Sequence, residues 1–331
     1  MRQDVTRSSR TGSGPPEVLR LPDVDPPEIG PGDVLVRVHA AGLNPYDWHM
    51  LRGDPLIARL IPGGVGLTRP KYRVAGLDAA GVVVVAVGAD VRELSADDEV
   101  LGFCPGAFAG YARAEAGKVV PKPASLTFEQ AAAIPVAATT ALRGIREVGQ
   151  VRAGHRVLVN GAAGGVGSYA VQIAAALAAE VTGVCRTRNA ELVGSLGAAH
   201  VIDYTTDDFT RQSARYDVIL DNVSNRPLSR LRRALAPAGI LVLNGGGAPG
   251  RWSDPSAPCS GPRWLTGSSG STFGSCLPRR TVLNWPPSPR SSKTASSRPS
   301  WTGHTRWPTP QRPCSTWRAG TPPGKVVITV A

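Results

Sequence analysis

The chain has 331 residues, 42% hydrophobic and 19% charged, enough for two domains with proper cores. Its formal charge is +12, yet residues 251–331 hold eleven basic residues against the single acid Asp254 and so carry +10 of it, which argues against a nucleic-acid or anionic-membrane partner for the body of the protein. No run of eighteen uncharged apolar residues occurs, the N-terminus MRQDVTRSSR lacks the apolar core of a signal peptide, and the five cysteines form no CxxC pair; a soluble, cytoplasmic protein with reduced thiols is expected.

Residues 1–13 are atypical, and the first regular pattern is Glu28–Asn44, which alternates apolar and polar after a Pro/Gly turn as antiparallel strands do. The loop GLNPYDWH follows, clustering Asn44, Tyr46, Asp47 and His49 behind the stiffening Pro45. Val74–Val91 has the β-branched density of a buried strand broken by glycine bends. With SADDEVLGF and AFAGYARAEAGKVVPKP it predicts a mostly β, barrel-like domain over residues 1–125. Thr127–Ala141 reads as helical, with Thr127 and Gln130 forming a capping box.

Val157–Ser168 (VLVNGAAGGVGS) is the most informative stretch: an apolar strand runs into closely spaced glycines and then into the apolar helix Val166–Leu177. Such a turn puts bare amides at a helix N-terminus, where peptide dipoles favour a diphosphate. An ordinary glycine-rich turn is the competing reading. The context favours the diphosphate, because apolar runs recur at Glu180–Cys185, His200–Tyr204, Tyr216–Asn222 and Gly239–Gly246, separated by helix-like spacers. Strands alternating with helices predict an α/β domain, a doubly wound parallel sheet over residues 126–247 that binds ligands at its carboxyl edge. The strand ending GVCRTRN (Cys185, Arg186, Thr187, Arg188, Asn189) lacks the acid that would bind a ribose 2′-hydroxyl. Its two arginines suit a 2′-phosphate and so NADPH over NADH, unless they are merely solvated.

From Ala248 to Pro323 the chain turns rich in Ser, Pro, Arg and Gly, holds six of the seven tryptophans and no Glu, and loses periodicity. A disordered basic tail is one reading. Translation out of frame is the reading favoured. Trp has the single codon TGG, so the third base of Trp301 joined to the first two of Thr302 must encode Asp. The run Cys314–Arg318 likewise permits Gln, Tyr, Leu, Glu, an amphipathic helix end leading into the strand-like GKVVITV of residues 324–330. The same displacement over Ser9–Ser13 permits Gln, Asp, Arg, Phe, Gly, so residues from about 248 to 323 and from about 6 to 13 look out of frame.

GLNPYDWH, VAGLDAAGVV, FEQAAAIPVAATTAL, NGAAGGVG and GKVVITV together resemble the medium-chain dehydrogenase/reductase superfamily, and within it the zinc-independent quinone oxidoreductase and enoyl reductase branch. The resemblance implies a GroES-like catalytic domain, a Rossmann domain, a cleft between them, NADPH as hydride donor and a last strand, residues 324–331, that returns to the catalytic domain. It also implies a small quinone or enone substrate, with a homodimer formed through the edge of the cofactor sheet. Zinc-dependent members have Cys where this chain has Asn44, and Gly-His-Glu where it has Gly76, Leu77 and Asp78, so no metal is expected. Asn44 is then expected to face the nicotinamide ribose or the substrate carbonyl, and Tyr46 to donate a proton or hydrogen bond. Cofactor contacts are expected from Thr140, from Gly161, Ala162, Gly164, Gly165, Val166 and Gly167, from Cys185, Thr187, Arg188 and Asn189, and from Tyr204, Asn222, Asn244 and Gly245. Two other outcomes stay open: an NADPH-binding interaction protein without turnover, and an inactive frameshifted product.

Overall fold

The computed structural model describes residues 9–10, 19–20, 25–52, 74–244, 272–275, 301–306 and 324–330. The chain forms two units, one of Met1–Val136, Val282–Pro286 and Trp301–Ala331 and one of Ala137–Thr281 and Pro287–Ser300.

In the first unit, β1 (Ser9–Arg10) and β2 (Leu19–Arg20) make a small antiparallel pair beside a larger curled sheet. The centre of that sheet is β3 (Asp33–Leu43), whose N-terminal half alternates buried and less buried positions as its sequence alternates. It is followed by α1 (Pro45–Arg52), β4 (Asp78–Val87), β5 (Glu99–Phe103), β6 (Tyr111–Glu115), β7 (Val119–Pro121) and α2 (Phe128–Ala132). The sheet order is β14-β15-β3-β4-β5-β7 with β6 on β3, where β14 is Trp301–Arg306 and β15 is Lys325–Thr329. β15 lies antiparallel to β3, with Val326 opposite Leu43, so the last strand meets the start of the GLNPYDWH loop. Val34, Val36, Val38, Leu43, Leu51, Val83, Phe108 and Ile328 are buried in one cluster. Removing such side chains from water is worth roughly 1.5–3 kcal/mol each.

The Thr127–Gln130 capping box forms as its spacing predicts: Gln130 N–H donates to Thr127 Oγ1 (3.3 Å) and Thr127 N–H to Gln130 Oε1 (3.0 Å). The helix expected over Thr127–Ala141 is two helices, α2 and α3 (Pro135–Leu142). Pro135 explains the break, since it has no N–H for the turn behind it and its ring disfavours helical geometry at Ile134. α2 packs Ala131 and Ala132 against Ala40, Ala80 and Val327, so it belongs to the first unit.

The second unit is built on a six-stranded parallel sheet. Its strands are β8 (Arg156–Asn160), β9 (Glu180–Cys185), β10 (His200–Asp203), β11 (Tyr216–Asp221), β12 (Leu235–Leu243) and β13 (Thr272–Ser275). Their order, β10-β9-β8-β11-β12-β13, is the doubly wound Rossmann order, and its direction of winding reverses between β8 and β11. Helices α4 (Gly165–Ala176), α5 (Ala190–Ser195) and α6 (Leu228–Ala234) occupy the predicted spacers. The α/β reading with a GroES-like β unit and a Rossmann unit therefore holds.

The stretch 248–323, expected to lack regular structure, contributes one strand to each sheet, β13 on β12 and β14 on β15. A strand joins a sheet through main-chain groups that every residue except proline supplies in full, so composition alone does not forbid it. The rest of that stretch lies outside the described residues. Among the described residues no helix is long and apolar enough to cross a membrane.

Candidate functional site

The glycine turn after β8 sits at the point where the sheet reverses its winding. Gly161 has φ +78°, a left-handed conformation that favours glycine. Gly167 lies so close to the turn that a Cβ would stand 2.1 Å from Gly161 O and 2.8 Å from Ala162 Cα. The turn is closed by Gly164 N–H to Gly161 O (3.0 Å), and Ser168 N–H to Gly164 O (2.8 Å) starts the helical ladder. The amides of Gly165, Val166 and Gly167 precede Ser168, the first to donate to the helical ladder, so they belong to the set a helix start leaves without intrahelical partners. A diphosphate fits this cradle: it needs bare backbone, and a side chain at Gly167 would fill the space the turn occupies. Ala162 is buried beneath it, with its N–H donated to Val184 O (3.0 Å).

At the end of β9, Cys185 is buried and Arg186, Thr187 and Arg188 are exposed, with Asn189 preceding α5. Arg186 Nε donates to Tyr204 Oη (2.7 Å), and the guanidinium stands 5.9 Å from the ring centre. The structure adds a residue that sequence reading missed. Parallel register sets Asp203 beside Cys185, where its carboxylate accepts from the Thr187 hydroxyl and from Thr205 N–H (2.9 Å) and Oγ1 (2.7 Å). The Thr187 hydrogen bond, aided by those from Thr205, holds this carboxyl below its ordinary value. The strand end thus has an acid, supplied by its neighbour; the signal was the Asp closing HVID.

The carboxyl edge between β8, β11 and β12 carries a polar chain. Asn244 Nδ2 donates to Asn222 Oδ1 (2.7 Å), Asn222 Nδ2 to Asn160 O (3.1 Å), and Asn160 Nδ2 to Asp221 Oδ1 (2.8 Å). Asp221 Oδ1 also accepts the amides of Val223 (3.1 Å) and Ser224 (2.9 Å), while its buried Oδ2 has no hydrogen-bond partner among the described residues. Asn222 and Asn244 are therefore brought together on this edge, and Asn160 and Asp221 join them. Thr140 is half-buried on α3, whereas Gly245 lies outside the described residues.

In the first unit, Asn44 is 2% exposed and its amide faces inward. Its Nδ2 donates to Asp78 Oδ2 (3.0 Å), and its Oδ1 accepts from Lys325 Nζ (2.5 Å). Lys325, on β15, also donates to Leu43 O (3.2 Å) and pairs with Asp78 (3.3 Å), and Asp78 accepts the amide of Val136 at the start of α3 (3.1 Å). Burial pushes the Asp78 carboxyl up, and Lys325 and Asn44 pull it back. Asn44, expected to face a ribose or carbonyl, has its side chain hydrogen-bonded within this cluster, which satisfies both ends of a buried amide. Tyr46, in the first turn of α1, is 43% exposed. The side chain of His49 lies outside the described residues.

Asp47 Oδ2 accepts the Asn44 N–H (2.8 Å), holding the start of α1. Burial pushes the Asp47 carboxyl up to about 7, against the pull of that hydrogen bond. Because the folded state keeps this proton up to about pH 7 while the unfolded chain releases it near pH 4, stability falls as pH rises between those values. We predict a loss on the order of 4 kcal/mol at most across that window. Asp47→Asn keeps an acceptor for the Asn44 amide and removes the proton exchange, so chemical denaturation at pH 5 and pH 8 should show a flatter profile in the variant. Equal slopes in the two proteins would defeat this assignment.

Residues 30–124 match the alcohol dehydrogenase GroES-like domain family, and residues 165–280 match the zinc-binding dehydrogenase family. The second match runs past residue 248, where the composition changes. The chain is 33% identical over 244 residues to a chloroplastic quinone-oxidoreductase homolog from Spinacia oleracea, covering 69% of this chain and 71% of that one. It is 38% identical over 214 residues to the mitochondrial NAD(P)H oxidoreductase RTN4IP1 of Bos taurus, covering 58% of this chain but only about half, 52%, of the bovine protein. The quinone oxidoreductase from Coxiella burnetii superposes with a TM-score of 0.80 over 99% of this chain and 100% of its own at 23% identity, a likeness of fold.

Zinc, implied by the name of the second family, does not fit the buried cluster of the first unit. The ammonium of Lys325 already stands at Asp78 and Asn44, where it would repel a divalent cation. Among the described residues no group of three or more His, Cys, Asp or Glu side chains comes together to hold such an ion.

Proposed function

Since the chain belongs to the medium-chain dehydrogenase/reductase superfamily, in its quinone oxidoreductase and enoyl reductase-like branch, we propose that it is a cytoplasmic NADPH-dependent reductase of quinones or α,β-unsaturated carbonyls. The observation that carries this reading is the glycine turn at the reversal point of the sheet, flanked by the Arg186–Tyr204 pair at the end of β9. When bound, the reduced nicotinamide supplies a hydride to the electrophilic carbon of the conjugated acceptor.

The protein's own groups do the rest. The amides of Gly165–Gly167 receive the diphosphate, with the α4 dipole behind them. Arg186 and Arg188 meet a 2′-phosphate through charge-assisted hydrogen bonds, with Thr187 and Tyr204 completing the wall. Asn222 and Asn244 offer amide groups to a carboxamide. Tyr46 donates a hydrogen bond to the substrate oxygen as negative charge grows on it, and solvent can complete protonation, since a hydroquinone anion is a modest base. Positioning supplies much of the acceleration, which suits a site without a strong acid.

Asp203 works against a 2′-phosphate, so the preference for NADPH is expected to be moderate. We predict that NADPH binds about ten- to a hundredfold more tightly than NADH, the worth of one or two charge-assisted contacts. Fluorescence titration with each nucleotide measures the ratio, and Arg186→Ala with Arg188→Ala should bring it close to one. Equal wild-type affinities would overturn the choice of NADPH, and no affinity for either would overturn the reading. A panel of quinones and enones then separates a reductase from a protein that binds nucleotide without oxidising it.

A further inference from the structure

Four buried polar residues, Asn44, Asp47, Asp78 and Lys325, come together at the foot of α1, and the reaction as read above uses none of them directly. Lys325 is 4% exposed and Asp78 is fully buried. Ionic groups held this far from water are costly unless each is fully partnered, and here each is. The ammonium of Lys325 has Asn44 Oδ1, Leu43 O and Asp78 around it; the Asp78 carboxylate has Lys325, Asn44 Nδ2 and the Val136 amide. An apolar pair of similar volume could fill such a space at equal or better stability. What the ionic version adds is direction. Lys325 can only donate, so Asn44 must present its oxygen to Lys325 and its nitrogen to Asp78, and the amide is locked in one orientation.

That lock bears on Tyr46. Asn44 is the residue from which α1 starts: its carbonyl accepts the Asp47 N–H (3.0 Å) and its own N–H goes to Asp47 Oδ2. Tyr46 lies between them in the first turn, so its backbone position follows that of Asn44 and Asp47. Resting on the reductase reading above, we propose that Lys325 is a positioning residue for the reduction: by fixing the Asn44 amide between itself and Asp78, it sets where Tyr46 stands at the start of α1.

The test compares the full-length wild type with Lys325→Met and with the double variant Asp78→Asn/Lys325→Met. The single variant leaves a buried carboxylate without its cation and can lose stability for that reason alone; the double variant removes both charges and is expected to melt within a few degrees of wild type. In both, kcat should fall about ten- to a hundredfold, the scale of effect from misplacing a group by about an ångström, with the NADPH dissociation constant within about twofold of wild type. Hydrogen exchange supplies a readout that does not need turnover: amides of residues 44–52 should exchange at least about tenfold faster in both variants, and those of β8 and α4 should not. A double variant that regains kcat together with its melting temperature shows a role in stability only and overturns the proposal, as does unchanged exchange over residues 44–52. A wild type that binds NADPH but reduces no quinone or enone defeats the reductase reading itself, and the proposal's catalytic half with it, whatever the exchange data show.

Discussion

Gly167→Ala is expected to abolish useful nucleotide binding, weakening it by at least about a hundredfold, and to destabilise the Rossmann unit by roughly 2–3 kcal/mol or more. The new methyl carbon would stand 2.1 Å from Gly161 O and 2.8 Å from Ala162 Cα, and both obstacles are backbone, which cannot swing aside as a side chain tip can. To make room, the start of α4 must pull away from the turn after β8. Two amides would then lose their aim at the diphosphate, each worth about 1.5–3 kcal/mol when the acceptor is charged. The melting temperature should drop by about 5–10 °C. Gly194→Ala supplies the contrast. It lies inside α5 with nothing within 4 Å of an added Cβ, so the same change there should be neutral or stabilise by about 0.5–1 kcal/mol. Isothermal titration with NADPH and thermal melts of both variants decide the matter: a Gly167→Ala protein that binds like wild type would show that the turn does not seat the diphosphate.

The second large effect concerns residues 248–323. The coding DNA, read one base over across this stretch and across residues 6–13, is expected to give ordinary helix and strand sequence, as the enforced Asp at Trp301–Thr302 suggests. A protein made with the reading frame restored should melt at least about 10 °C above the present chain, or melt cooperatively where the present chain aggregates. The reason lies in the sheets. β12 and β15 each pair on one side with strands drawn from the altered stretch, and a parallel sheet depends on covering layers to keep both faces from water. Ser, Pro and Arg supply little apolar surface for that cover. A cooperative transition of the present chain at the same temperature as the restored one would refute this, as would related coding sequences that carry the same codons in the same frame.

What the sequence made legible was local. The turn after β8, the capping box at Thr127 and the strand runs that follow depend on residues within a few positions of one another, so spacing and residue type suffice. Even the break before Pro135 could have been read, because proline's effect on its predecessor is a neighbour effect. The parts that stayed hidden are those made by pairing. Asp203 reaches the end of β9 only through parallel register, and nothing in GVCRTRN announces it. Asn44, Asp78 and Lys325 stand 34 and 281 positions apart, and only the antiparallel seating of β15 on β3 brings them to one point. The hydrogen bonds of Asn44 to Asp78 and Lys325 belong with these, since a polar residue in a loop gives no sign of the partners that distant strands bring to it.

The seating of β15 also orders events at the ribosome. Asp78 and Lys325 are separated by 247 residues, so at about 5–20 residues per second the carboxylate is synthesised on the order of tens of seconds before its cation exists. Until then the β-rich unit lacks both the strand that pairs with β3 and the cation that partners Asp78, while most of the parallel sheet is made. Premature termination between Ser300 and Lys325 would therefore leave nascent chains with one finished unit and one that lacks its last strand, a ready substrate for cellular proteolysis.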